Sequence, residues 1–231
     1  MTEKIVLRKS QKKALLYGIH TKAGAQALES LLVNDAYSSV LVFVFQDIEL
    51  KNSKIEFVKI EDEKLEGITD QIKGDDLFIF QENEMEDTKL FLKNNYLIPL
   101  RIALYAKHNR VNQLSLLSSS NTLLKSVFLP HKTKEELENT LRDLDFWSYY
   151  IYKPIFVVVE QRKQGLRDKI ASFLGRQLNT ITNDLFNKIT PVETDSIIEM
   201  MLQNAQQLDA GTHIFTNEDI LTFQKLLTTD T

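Results

Sequence analysis

Residues 17–24 read YGIHTKAG, and their setting decides the fold. The apolar run ALLY (14–17) leads into them and AQALESLLV (25–33) follows, with Gly24, Ala27, Leu28, Leu31 and Leu32 recurring at the spacing of one helix face. A strand, a glycine turn and a helix in that order make the first βα unit of a doubly wound sheet, where N–H groups at the helix N-terminus face a dinucleotide pyrophosphate. Gly18 and Gly24 hold the outer positions of a G-x-x-G-x-x-G spacing, and Thr21 stands in the middle. Two readings are open here. In the first, Gly18, His20, Thr21, Lys22 and Gly24 bind the cofactor, the histidine and lysine adding side-chain donors. In the second, Gly18 ends a strand, Gly24 lets the helix sit close to the sheet, and Lys22 is a solvated charge.

Outward from this loop, short apolar runs alternate with longer helical stretches. VLVFVF (40–45), KIEFVKI (54–60), DLFIF (76–80), LSLL (114–117) and YYIYKPIFVVV (149–159) read as strands, and THIF (212–215) is strand-like. They are nearly continuous apolar runs, as strands are when helices cover both faces of a parallel sheet. Residues 88–108 are long enough for about five helical turns, and Leu137, Leu141 and Leu144 mark another helix. Thr133 and Glu136 have capping-box spacing, which predicts a helix beginning after Thr133 and leaves His131 in a loop; Thr216 and Asp219 predict one starting near Asn217. The expected architecture is α/β: a doubly wound parallel sheet of the Rossmann type, with helices on both faces and a small C-terminal extension. Residues 1–231 form a single domain in this reading, with 160–231 as its smaller, substrate-side part. Residues 160–179 read as a basic amphipathic helix.

Composition narrows the chemistry. The chain has 231 residues, 43 % of them hydrophobic and 26 % charged, and a net charge of −4, which argues against nucleic acid or a membrane surface as partner. It has no cysteine, which removes disulfides, thiolate catalysis and cysteine metal sites. His20, His108, His131 and His213 show no ligand spacing with carboxylates, so no metal is expected. The start, MTEKIVLRKSQKK, lacks an apolar signal core, and no apolar run reaches the ~18 residues that span a bilayer, so the expected location is the cytoplasm.

Several separated segments resemble one family. LLVNDAYSSV (31–40) follows the glycine loop, LSLLSSSNT (114–122) ends a strand in serines, and KEELENTLRDLDF (134–146) is a helical stretch that starts at a lysine. Lys153-Pro154, PVETDSIIEMM (191–201) and FTNEDI (215–220) continue the series. Together they are similar to the atypical short-chain dehydrogenase/reductases, NAD(P)-binding Rossmann proteins, and in particular to the Tat-interacting-protein-like oxidoreductase branch. The resemblance implies a serine that orients the substrate oxygen, a tyrosine that donates a proton to the carbonyl, and a lysine four residues later that lowers the tyrosine pKa and holds the ribose.

Carried over residue by residue, it brings Ser118 or Ser119 to the serine position and Lys134 to the lysine position. Pro130 falls at the tyrosine position, and proline has no proton to give. The arginines that take a 2′-phosphate are replaced by Phe45-Gln46-Asp47, and the turn after the fourth strand reads QENEMED (81–87). This points to a degenerate member: a protein without dehydrogenase activity, acting as a scaffold or interaction protein, with no or weak NAD(P) binding. Two other readings stand beside it, an NAD(P)-binding sensor and an NAD(P)-dependent oxidoreductase with an altered active site in which His131 or water donates the proton. A dinucleotide or small molecule is the candidate ligand, and monomer and homodimer are both open.

Overall fold

The computed structural model describes residues 11–81, 87–118, 128–155, 157–158, 191–207 and 209–229. In chain order the elements are β1 (Lys12–Tyr17), α1 (Lys22–Val33), β2 (Tyr37–Val44), β3 (Ile55–Lys59), a 3₁₀ turn (Glu66–Gln71), β4 (Asp76–Phe80) and α2 (Thr88–Leu92). A π-helical turn (Lys93–Leu97) then leads into α3 (Ile98–His108), followed by β5 (Gln113–Leu117), α4 (Phe128–Asp143), β6 (Ser148–Lys153) and β7 (Val157–Val158). The chain closes with β8 (Val192–Glu193), α5 (Thr194–Asn204), β9 (Gly211–Thr216) and α6 (Asn217–Thr229).

Seven strands form one parallel sheet in the order β3-β2-β1-β4-β5-β6-β9. The order reverses between β1 and β4, so the crossovers leave in opposite directions and open a crevice at the carboxyl ends of those two strands. One apolar layer lies between the sheet and α1, α5 and α6, gathering Leu28, Phe78, Tyr152, Ile197 and Met201. The other lies under α3 and α4, with Leu77, Ile79, Ile102, Leu116, Leu137 and Leu141. Consecutive strand residues feed opposite layers, which is why the strands are apolar throughout.

Three expectations change. The run 149–159 is two strands: β6 stops at Lys153 because Pro154 has no N–H for the ladder, and β7 pairs with β8 in a separate two-stranded sheet. Helix α4 begins at Phe128, and Thr133 lies buried inside it. The capping-box spacing at Thr133–Glu136 therefore marks no helix start, and His131 stands in the helix backbone three residues before Lys134. Residues 88–108 are helical throughout, but with a π turn at their centre. The expected box at α6 forms: Thr216 donates to Asp219 from its N (2.8 Å) and its Oγ1 (2.7 Å). These bonds hold the Asp219 carboxyl below its ordinary range. The basic stretch 160–179 lies outside the described residues.

The amino ends of the strands carry a buried polar row. Lys12 Nζ is 2.9 Å from Asp76 Oδ2 and donates to Ala205 O (2.6 Å); Tyr37 donates to the same Asp76 oxygen (2.6 Å). Gln113 Nε2 also donates to Ala205 O (3.1 Å), and Gln206 Nε2 to Tyr37 OH (3.2 Å). The first residues of β1, β2, β4 and β5 thus fasten the turn that follows α5.

Candidate functional site

The glycine loop sits at the carboxyl end of β1. Gly18 has φ +101°, and a Cβ there would drive into the Phe80 carbonyl; a Cβ on Gly24 would drive into the Gly18 carbonyl. Both glycines are therefore required by close backbone approach. Thr21 is the N-cap of α1: its Oγ1 accepts from Gly24 N (2.9 Å) and donates to Gly18 O (2.8 Å), while its N donates to the same carbonyl (2.9 Å). The hydroxyl takes one of the helix N-terminal amides that a phosphate would otherwise face. Lys22 opens the helix and is half-buried.

His20 turns toward the end of β2. Its ring lies 5.4 Å from Phe45 and 5.6 Å, edge-on, from Tyr17. Asp47, a carboxylate near this strand end with the chemistry for a ribose hydroxyl, is exposed and paired with Lys59 at 2.9 Å.

Across the crevice the π turn meets β1 and β4. Tyr17 OH donates to Asn94 O (2.7 Å) and the buried Gln81 Nε2 to Asn95 O (2.9 Å). Asn94 and Asn95 are both buried. A π turn shifts the helical ladder by one residue, and two side chains fill the carbonyl positions that it frees. These asparagines escaped the sequence reading because a 3.6-residue pattern runs through residues 88–108 without showing where the ladder slips. Asp87 caps α2 by accepting from Leu90 N (2.8 Å), while residues 82–86 of the acidic turn lie outside the described residues.

On the far side, Ser118 follows β5, is buried, and donates its N to Tyr152 O (2.9 Å). Ser119 lies outside the described residues. Pro130 falls in the first turn of α4, and Lys134 is buried one turn further on, 5 % exposed. Glu138 follows one more turn along, 4 % exposed, with its Oε2 at 2.6 Å from Lys153 Nζ at the end of β6. Glu138 was missed in the sequence, although the Lys134–Glu138 separation is one that places two side chains on one helix face. The hydroxyls of Tyr149 and Tyr105 are both engaged by backbone carbonyls. Tyr149 is buried with its hydroxyl on Glu138 O (3.5 Å), and burial together with the Glu138 charge pushes its pKa well up; Tyr105 OH donates to Lys64 O (3.2 Å). Among the described residues no group of three metal-ligating side chains occurs, and no helix is long and apolar enough to cross a membrane.

No protein-family model matches the chain, and no curated protein sequence does. Solved structures do. Uronate dehydrogenase from Agrobacterium tumefaciens is 11 % identical at a TM-score of 0.68, over 90 % of this chain and 76 % of that one. MoeE5 in complex with UDP-glucose and NAD is 15 % identical at 0.65, over 94 % and 82 %. A short chain dehydrogenase family protein from Francisella tularensis is 15 % identical at 0.60, over 92 % of this chain and 100 % of its own. Identities this low speak to the fold, and with the strand order and the glycine loop they show that the chain has a doubly wound α/β fold of the Rossmann type.

Proposed function

We propose that this is a Rossmann protein of the short-chain dehydrogenase/reductase kind that has lost tyrosine-dependent hydride chemistry and acts as a scaffold or interaction protein. The observation that carries the reading is Pro130, one turn before the buried Lys134 of α4. A proton donor at that place is what the resemblance requires, and proline offers none. The internally bonded Thr21 hydroxyl and the Lys59-paired Asp47 point the same way, since each takes up a group that a dinucleotide would use. Incubation with NADH or NADPH and a broad panel of carbonyl compounds is expected to give no turnover above the blank. Turnover that His131→Ala abolishes would replace this reading with an altered reductase.

A second reading, a dinucleotide sensor, is favoured by Gly18 and Gly24, which keep the backbone approach of a phosphate-binding turn. MoeE5 and the enzyme WbmH from Bordetella bronchiseptica have structures with NAD bound. Here Gly18, Thr21, Gly24 and Lys134 would contact the cofactor. Stabilisation on heating with millimolar NAD(H) or NADP(H) would support it, since a ligand bound only by the native state raises the melting temperature. An unchanged melting temperature would remove it.

A further inference from the structure

The polar row at the amino ends of the strands is not closed on itself. Asp76 Oδ1, Gln113 Oε1, Gln206 Oε1 and Tyr150 OH are buried there and have no hydrogen-bond partner among the described residues. Asp76, Gln113 and Tyr150 are themselves 2 %, 6 % and 2 % exposed. Printed bonds bring these atoms to one place. Asp76 and Gln113 are register partners on neighbouring strands, and they share a face with Phe78 and Leu117, the one under α5. Lys12 Nζ links them: it donates to Asp76 Oδ2 (2.9 Å) and to Ala205 O (2.6 Å), the carbonyl that also accepts from Gln113 Nε2 (3.1 Å). Gln206 joins through Tyr37, whose hydroxyl donates to Asp76 Oδ2 (2.6 Å) and accepts from Gln206 Nε2 (3.2 Å). Tyr150 lies on the same face of β6, two residues after Ser148, the register partner of Gln113. Burial raises its pKa, and the Asp209 and Asp76 charges add to the rise.

The same bonds fix which end of each amide is engaged. A carbonyl only accepts, so Ala205 O holds the Gln113 NH2 group and leaves the amide oxygen free. The Tyr37 proton goes to Asp76, so Gln206 also presents its NH2 group and keeps its oxygen free. Asp76, Gln113 and Gln206 thus each offer an acceptor, and Tyr150 offers a proton. Lys12 already answers the Asp76 charge, which makes a neutral donor the fitting ligand and a further cation a poor one. We propose that this cluster is an internal hydration site, in which water donates to the Asp76, Gln113 and Gln206 oxygens and accepts from the Tyr150 hydroxyl. A water has two protons, so the full set of acceptors takes more than one molecule. Buried waters make about three hydrogen bonds each, and here those bonds join β4, β5 and β6 to the turn after α5. The site lies at the opposite end of the sheet from the glycine loop and does not depend on whether a dinucleotide binds.

Oxygen-17 relaxation dispersion of the full chain, in a buffer whose cation is tetramethylammonium, counts the waters held for longer than the protein tumbles. Gln113→Leu removes an acceptor at nearly constant volume and is expected to lower the dispersion by about one water or more. Tyr150→Phe should lower it as well, and should lower the melting temperature, because a bond to water is lost. A hydroxyl without any partner predicts the opposite, a more stable phenylalanine variant. If Gln113→Leu does not fold, Tyr150→Phe decides alone. Dispersion unchanged in both variants, or a higher melting temperature for Tyr150→Phe, overturns the proposal. So does a saturable rise in melting temperature with ammonium or potassium at constant ionic strength that Gln113→Leu abolishes, since it would assign the site to a cation. Turnover of NAD(P)H bears on the scaffold reading and leaves these outcomes unaffected.

Discussion

At Thr21 a single hydroxyl does what a glycine loop leaves to its ligand. It caps α1 through Gly24 N and ties back to Gly18 O. Thr21→Ala is expected to lower stability by about 1 kcal/mol, the usual worth of an N-cap, while Thr21→Gly lowers it by only a few tenths. Urea midpoints of the two variants measure the difference. Gly24→Ala belongs to another class: its methyl would have to displace a backbone carbonyl, and a loss of about 3 kcal/mol or more is expected in the same measurement. If Gly24→Ala proves as mild as Thr21→Ala, the close contact between loop and helix is not what fixes this turn. His20, which the sequence offers as one candidate side-chain donor to a phosphate, lays its ring against those of Tyr17 and Phe45. The ring contact depends on a residue at the end of the neighbouring strand, which the loop's own sequence cannot show.

Strand starts matter as much as strand interiors. Lys12 and Asp76 open the two central strands and meet under the turn at 205–207. Lys12→Met should cost about 3–5 kcal/mol, because it leaves the Asp76 carboxylate buried without its ammonium. Pairing it with Asp76→Leu should recover much of that loss. The deficit also depends on pH. Burial raises the Asp76 pKa and Lys12 opposes the rise. Without Lys12 the carboxyl takes up a proton more readily in the fold than in the unfolded chain, so the native state binds more protons and gains stability as pH falls. The gap between Lys12→Met and the parent is therefore expected to narrow from pH 7 to pH 5, and denaturant unfolding at the two pH values tests this. A gap that widens would mean that Asp76 stays charged through other donors.

Over the whole molecule, tyrosine burial sets the alkaline limit. Tyr37, Tyr149 and Tyr152 are almost fully buried, and burial, as the largest cause, raises all three hydroxyls above their ordinary pKa. Below pH 10 these phenols are neutral in both states and their contribution is intact. Above it the unfolded chain ionises and the fold does not, so stability falls with rising pH at about 1.4 kcal/mol per unit for each, or about 4 kcal/mol per unit for the three. Phenolate absorbance and circular dichroism should therefore show these tyrosines ionising together with cooperative unfolding. Phenolate signals from all the tyrosines before any loss of helix would contradict the burial.

Periodicity made the layered α/β fold legible, since apolar runs of strand length alternating with 3.6-residue stripes admit few other arrangements. The glycines announced the first turn, and Pro130 is plain from the residue itself. What the sequence by itself determined is therefore the βα order, the place of the loop and the absence of a phenol before Lys134. Only the tertiary structure decided that α4 runs through Thr133, that the strand at 149–159 breaks at Pro154, that Asp47 pairs with Lys59 and that Glu138 reaches Lys153. The physical reason is range. Propensity and spacing act over a few neighbours along the chain, while a carboxylate's partner and a helix's first turn depend on which strands and helices the fold brings beside them.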